Sequence, residues 1–160
     1  MQSGVKWSKN KKKGGEAPVI GKHPAKMDDK NRLFVPAKLR EELGGKFYVT
    51  YGFNGRHKCL TVYTEGDWNQ LTENFNKLSI AQRSGPGSLL FINAAECTPD
   101  KQFRFSLTQN LMSYAGIERD VLIVGRAGQA EIWDVAAYEA FEQENLTPEK
   151  LLASLEAIGL

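Results

Sequence analysis

The chain repeats itself. DDKNRLFVP at Asp28–Pro36 returns as DKQFRFSLT at Asp100–Thr108, and the register holds further on, with Leu39 over Leu111 and Gly44 over Gly116. FYVTYG (47–52) finds its counterpart in DVLIVG (120–125), and CLTVYTEGDW (59–68) in AEIWDVAAY (130–138), with Tyr63 over Trp133 and Trp68 over Tyr138. Each copy reads as strand, short helix, hairpin and helix. A unit of about 60 residues buries too little apolar surface to stand alone easily, so the two copies are expected to share one core. The expected fold is α+β, mostly β, built from two tandem half-units about a pseudo-twofold with helices at the periphery.

Local signals place the elements. Leu33–Val35 is a short apolar run, and Pro36 suits the first position of a helix over AKLREEL, whose Leu39 and Leu43 share a face. Gly44-Gly45 supplies a stop. FYVTYG and CLTVY flank Asn54-Gly55 as a hairpin. A helix over 67–78 would align Trp68, Leu71, Phe75 and Leu78. RSGPGS (83–88) marks a junction, and Thr147-Pro148 opens a last helix with Leu151, Leu152, Leu155 and Ile158 on one side, read as a cap on the core. The division expected is a flexible basic arm (1–22), a first half-unit (23–80), a junction (81–88), a second half-unit (89–146) and a terminal helix (147–160).

The net charge of +2 hides a gradient. Residues 1–46 hold 12 Lys/Arg against 5 Asp/Glu, and the remainder 9 against 14. The last thirty residues carry seven acids and one lysine. A basic head points to an anionic partner, although a solvated lysine tail would look the same. No apolar run approaches the ~20 residues that span a bilayer, and the basic N-terminus has no apolar signal core, so a cytoplasmic protein with no membrane partner is expected.

The chemistry-bearing residues are few. Cys59 and Cys97 are isolated and suit small core thiols. His57 and Cys59 could give at most two metal ligands from one strand, so no metal or cofactor is expected. Asp28 and Asp29 are adjacent and diverge, neither His23 nor His57 has a nucleophile motif beside it, and NKKKGGE lacks the P-loop spacing. Neither catalysis nor a small-molecule substrate gains support. Double-stranded DNA does: Lys30, Asn31 and Arg32, with Lys101 and Arg104 in the second copy, would be shown by tight turns suited to phosphate contact and groove entry. Charged turns paired within themselves are the plainer alternative. The aromatics at Phe47, Tyr51, Phe53, Tyr63, Trp68, Phe75, Trp133 and Tyr138 are read as core rather than as a base-stacking platform.

The paired corners, each with a short helix and a hairpin behind it, resemble the MraZ family of bacterial regulators, of the AbrB-like swapped-hairpin, double-split β-barrel fold. The likeness runs over about residues 20–145, through DDKNRLFVPAKLREEL and then AAECTPDKQFR, LMSYAG, DVLIVG and EIW. Asn31 stands where the family has glycine, and Asn tolerates a left-handed backbone. Phe103 does not do so cheaply, and Thr108 replaces the second proline as a candidate N-cap, so the first corner is expected to be the better reader. The resemblance implies a nucleoid-associated transcriptional regulator, a ring-like homo-oligomer on short direct repeats upstream of a division and cell-wall gene cluster. An AbrB-type antitoxin with an acidic partner-binding tail is the rival.

Deleting residues 1–20 is expected to lower affinity for all duplexes alike. Each phosphate that the lysines neutralise contributes ~0.9 to the slope of log K against log salt, so the slope should fall by about that amount for every phosphate the deletion leaves without a lysine. An unchanged slope would reduce the arm to a solvated tail.

Overall fold

The computed structural model describes residues 20–126 and 129–160, so most of the basic arm expected over 1–22 lies outside the described residues. Among the described residues, eight strands form two antiparallel sheets. The larger has the order β1-β7-β8-β4-β3-β5, from β1 (Gly21–Lys26), β3 (Phe47–Asn54), β4 (His57–Thr64), β5 (Ala95–Cys97), β7 (Asp120–Arg126) and β8 (Gln129–Asp134). The smaller is a ribbon of β2 (Arg32–Phe34) and β6 (Arg104–Ser106). Helix α1 (Ala37–Leu43) follows β2, and α5 (Gln109–Ala115) follows β6. Each hairpin runs into an outer helix, α2 (Glu65–Asn76) or α6 (Val135–Asn145), and α7 (Pro148–Ile158) ends the chain. The architecture is mixed α+β about antiparallel sheets. Among the described residues the sheet stays open.

The strand order carries the duplication. β4 and β8 pair at the centre, through Leu60–Ile132 to Val62–Ala130, and each half's hairpin lies outward from there. The leading strands are exchanged. β1 of the first half pairs with β7 of the second, Gly21 to Gly125 through Lys26 to Asp120, and β5 of the second half pairs with β3 of the first. Neither leading strand was expected from the sequence. Pro24 argues against a strand interior, but β1 is an edge, where an N–H can be spared. β5 is only three residues long.

Alternation along the strands sorts the core. Phe47, Val49, Leu60, Val62, Val121, Ile123, Ala130 and Ile132 face the ribbon side, where they meet Leu33 and Phe105 together with Leu39, Leu43, Leu111 and Met112 of α1 and α5. The opposite face carries Cys59, Leu122, Val124 and Trp133 beneath Tyr138 and Phe141 of α6. On the first half, Tyr48 stacks on Trp68 of α2 at 5.0 Å, and Trp68 in turn meets Phe91. The cysteines are core thiols as expected, and burial pushes both up to about 12. Of the aromatics read as core, Phe53 is the exception, at 72% exposure near the hairpin tip.

Three further expectations are corrected. α2 runs from Glu65, N-capped by the Thr64 hydroxyl, and stops at Asn76, which leaves Leu78 outside it and exposed. Two short helices, α3 (Ile80–Arg83) and α4 (Ser88–Ile92), stand at the junction, the first closed by a Ser79–Gln82 capping box. And α7 is not packed as a cap on the core: every residue from Pro148 to Leu160 is exposed, Leu151, Leu152, Leu155 and Ile158 included.

Phe105 meets Phe47 edge-on at 5.1 Å and is nearly closed to solvent, whereas Phe34, on the ribbon's other face, is 50% exposed. Phe105→Ala is therefore expected to cost about 3–5 kcal/mol, and Phe34→Ala about 1 kcal/mol or less. Urea unfolding of the two variants reads the difference, and similar losses would mean that the ribbon has no inner face.

Candidate nucleic-acid interface

Each end of the ribbon is built by one carboxylate. Asp28 Oδ1 accepts the Lys30 and Arg32 amides at 2.9 and 2.8 Å, and its Oδ2 accepts Arg32 Nε at 2.8 Å. The Asp28 amide returns a bond to the Arg32 carbonyl, and Asn31 N–H closes the turn on the Asp28 carbonyl at 3.1 Å. At the second corner, Asp100 Oδ1 accepts Gln102 and Arg104 amides, both at 2.9 Å, its Oδ2 accepts Arg104 Nε at 3.0 Å, and Phe103 N–H closes on the Asp100 carbonyl. An aspartate that gathers the amides two and four residues on is a strong local turn former, because its short side chain mimics a backbone carbonyl.

That geometry forces the fourth residue left-handed. Asn31 has φ 58° and Phe103 φ 63°. Phe103 does not change the turn-forming bonds of the second corner, which match those of the first, and Arg104 Nη2 also lies 3.0 Å from Asp100 Oδ2. Each left-handed residue then turns its carbonyl onto the other half, Asn31 to the Leu107 amide at 3.0 Å and Phe103 to the Val35 amide at 2.8 Å. Thr108 is the N-cap expected of it, its hydroxyl accepting the Leu111 amide at 3.4 Å. Pro36 sits one position earlier than expected, at the N-cap of α1.

The ribbon displays these arginines outward. Leu33 pairs with Phe105 on the inner face, so Arg32 opposite Ser106, and Phe34 opposite Arg104, fall on the outer one. The two arginines keep side-chain exposures of 25% and 32%. Arg32 reaches Asp28 through Nε, which fixes its rotamer and leaves the rest of its donor fork unused by that bond. The self-paired turn set against DNA contact in the sequence is thus present, but as a clamp on part of each guanidinium. Lys30, Asn31 and Lys101 are exposed at the corner tips.

Comparison with known proteins supplies the family. The model for "MraZ protein, putative antitoxin-like" matches the chain twice, over residues 19–85 and 90–153. The chain belongs to the MraZ family. The transcriptional regulator MraZ of Clostridium tetani is 34% identical over 143 residues, 88% of this chain and 99% of that protein. That of Caldicellulosiruptor bescii is 34% identical over 145 residues, 89% and 99%. That of Clostridium beijerinckii is 33% identical over 143 residues, 88% and 99%. The two MraZ matches follow the two halves of the duplication, with one corner in each.

Two residues of this MraZ surface escaped the sequence reading. Phe34 sits in an apolar run and looks like core, although the alternation from buried Leu33 would have turned it outward. Arg40, on α1, donates from Nε to the Val35 carbonyl at 3.0 Å, and its guanidinium lies 3.8 Å from the Phe103 ring centre and 4.9 Å from that of Phe34. No local pattern announces a contact between α1 of one half and the corner of the other.

The clamps carry a pH signature. The Arg104 amide and guanidinium hold Asp100 below its usual 3.8. At Asp28 partial burial works upward, but the Arg32 amide and guanidinium and the Lys30 amide outweigh it, and the net direction is again down. A depressed carboxylate stabilises the fold above its unfolded-state value, and the contribution fades as pH falls through the folded-state value. The amide shifts of Lys30, Arg32, Gln102 and Arg104 should therefore titrate with midpoints below 3.8. A midpoint at or above that would mean the carboxylates do not hold the corners in solution.

Proposed function

We propose that this chain is a sequence-specific DNA-binding transcriptional regulator that acts as a homo-oligomer on repeated short sites. The observation that carries the reading is the ribbon, which sets two aspartate-clamped arginines on one outer face. A two-stranded antiparallel ribbon fits the major groove, where an arginine fork pairs with guanine O6 and N7. Lys30, Asn31 and Lys101 at the tips would meet phosphate and base edges beside Arg32 and Arg104. The relatives named as transcriptional regulators support the same role. The double-split, swapped-hairpin description is our reading of the strand exchange, with half-units at 23–80 and 89–146 joined by 81–88 and followed by 147–160. Action in the cytoplasm and nucleoid, on the chain's own division and cell-wall gene cluster, is part of the same proposal.

Self-assembly is favoured by two separate apolar faces. Leu151, Leu152, Leu155 and Ile158 of α7 are exposed, and so are Leu78, Ile80, Leu89 and Ile92 around α3 and α4. Two unlike faces on one chain make head-to-tail contacts, which close into rings when the rotation allows. The same α7 face, on an acidic tail, is what favours the antitoxin reading, with another protein in place of a second copy. A corner on each half of one chain favours DNA and self-assembly. Light scattering of the chain alone separates the two: a monomer would leave the faces for a different protein.

The turn-forming hydrogen bonds common to both corners support a reading in which each contributes to binding. Arg32→Ala and Arg104→Ala are each expected to cost about 1–3 kcal/mol in specific binding. Arg32→Lys should keep the salt-dependent attraction and lose sequence discrimination, because an ammonium has no planar fork. Gel shifts on a selected duplex and on a scrambled one measure both effects, and wild-type binding by the alanine variants would acquit the corners.

A further inference from the structure

We infer that Phe34, Phe103 and Arg40 form a thymine-reading end of the ribbon, whose rings contact the C5 methyl of thymine in the major groove beside the base read by Arg104. The inference rests on the DNA-binding reading above and adds a specificity-determining contact to it. Its starting point is a backbone outlier. Phe103 has φ 63° and is 43% exposed, so it occupies a conformation unfavourable to a bulky side chain without the return of a core position. Phe34 beside it is 50% exposed. The Arg40 guanidinium lies over a face of Phe103 and against Phe34 and is tied by Nε to the Val35 carbonyl, which fixes the cluster and still leaves both rings about half exposed.

The cluster exists at one end only. Across the pseudo-twofold, Phe103 is replaced by Asn31, Phe34 by Ser106 and Arg40 by the buried Met112. The fold itself therefore does not need aromatic rings here, because the other corner forms the same bonds without them. The place of the rings decides what they meet. Phe34 is the cross-strand partner of Arg104, and Phe103 precedes Arg104 in the chain, so whatever seats on that arginine covers both rings. Arg40 lies against both rings, Arg104 stands opposite Phe34 and exposed Lys101 lies two residues before Phe103, and cations so placed suit a polyanion better than a second copy of the chain. In the major groove the apolar feature offered to an aromatic ring is the thymine methyl. One end of the ribbon would then prefer thymine and the other would not, so that a fused, pseudo-symmetric chain reads an asymmetric site.

The full-length chain would select duplexes from a randomised pool, and each thymine of the selected duplex would be replaced singly by deoxyuridine, which removes the methyl and keeps every hydrogen-bonding group. At one or two positions the replacement should weaken wild-type binding about fourfold, the fold-change that corresponds to ~0.8 kcal/mol for one buried methylene-sized group. Phe34→Ala and Phe103→Asn, the latter using the residue that already holds the first corner, should bind the two duplexes alike at unchanged particle size. A wild-type chain that binds duplex but ignores the methyl overturns this inference and leaves the DNA reading standing. A variant that shrinks the particle also overturns it, since the rings would then be a contact between copies. A chain that selects no duplex overturns both.

Discussion

Asp28 and Asp100 each collect two amides and a guanidinium within five residues, and most of what the two halves do together depends on that small knot of bonds. A hydrogen bond to a carboxylate this open to solvent contributes only modestly, because water competes for both partners. The larger consequence is directional. The carboxylate fixes the turn, the turn makes the fourth residue left-handed, and that residue's carbonyl then points at the opposite strand. The Val35 amide is satisfied by the second corner and the Leu107 amide by the first. Each corner therefore completes a strand that belongs to the other half, and the arginine it positions is aimed by the same carboxylate.

The strand exchange acts in the same sense over a longer range. β1 pairs with a strand about a hundred residues away, and β5 returns to the hairpin of the first half. Contacts of such separation are made late and cooperatively, because the loop-closure cost comes before any pairing returns it. Neither half can satisfy its own sheet edge or ribbon, so the shared core inferred from the small size of the repeat has a second cause in the backbone. At the other extreme no residue of α7 is buried, and Leu151, Leu152, Leu155 and Ile158 stay largely open to solvent among the described residues.

The parts legible in the sequence were those governed by local rules. The proline-led helix over AKLREEL, the hairpin about Asn54-Gly55 and the Thr108 cap all follow from turn chemistry and periodicity within a dozen residues, and the correspondence of Asp28 with Asp100 follows from the repeat. The exchanged strands were not legible, since Pro24 hides one and three residues define the other, and both exist only because a distant edge is waiting. The candidate site divides along the same line. Lys30, Arg32, Lys101 and Arg104 could be named from the repeat. Arg40 could not, because it reaches the site through a corner 63 residues away in sequence, and Phe34 was hidden by an apolar run whose alternation is only three residues long.

Duplication within one chain frees a fold from a constraint that a symmetric dimer must obey. In a dimer of single units, any substitution at one end of the ribbon appears at the other, and the surface can match only a palindromic partner. Here the backbone has kept its pseudo-twofold while the ribbon's outer side chains have diverged, Asn31 against Phe103 and Phe34 against Ser106, and the half-buried Arg40 of α1 stands against the buried Met112 of α5. The inner face has not diverged in kind, with Leu33 opposite Phe105 and Leu39 matched by Leu111, all buried. Packing holds the inner positions to apolar residues of fitting size, whereas the outer positions are limited only by what they touch. Divergence concentrated on the ribbon's outer face is the pattern a fused pair would take on if the two ends answered to different neighbours.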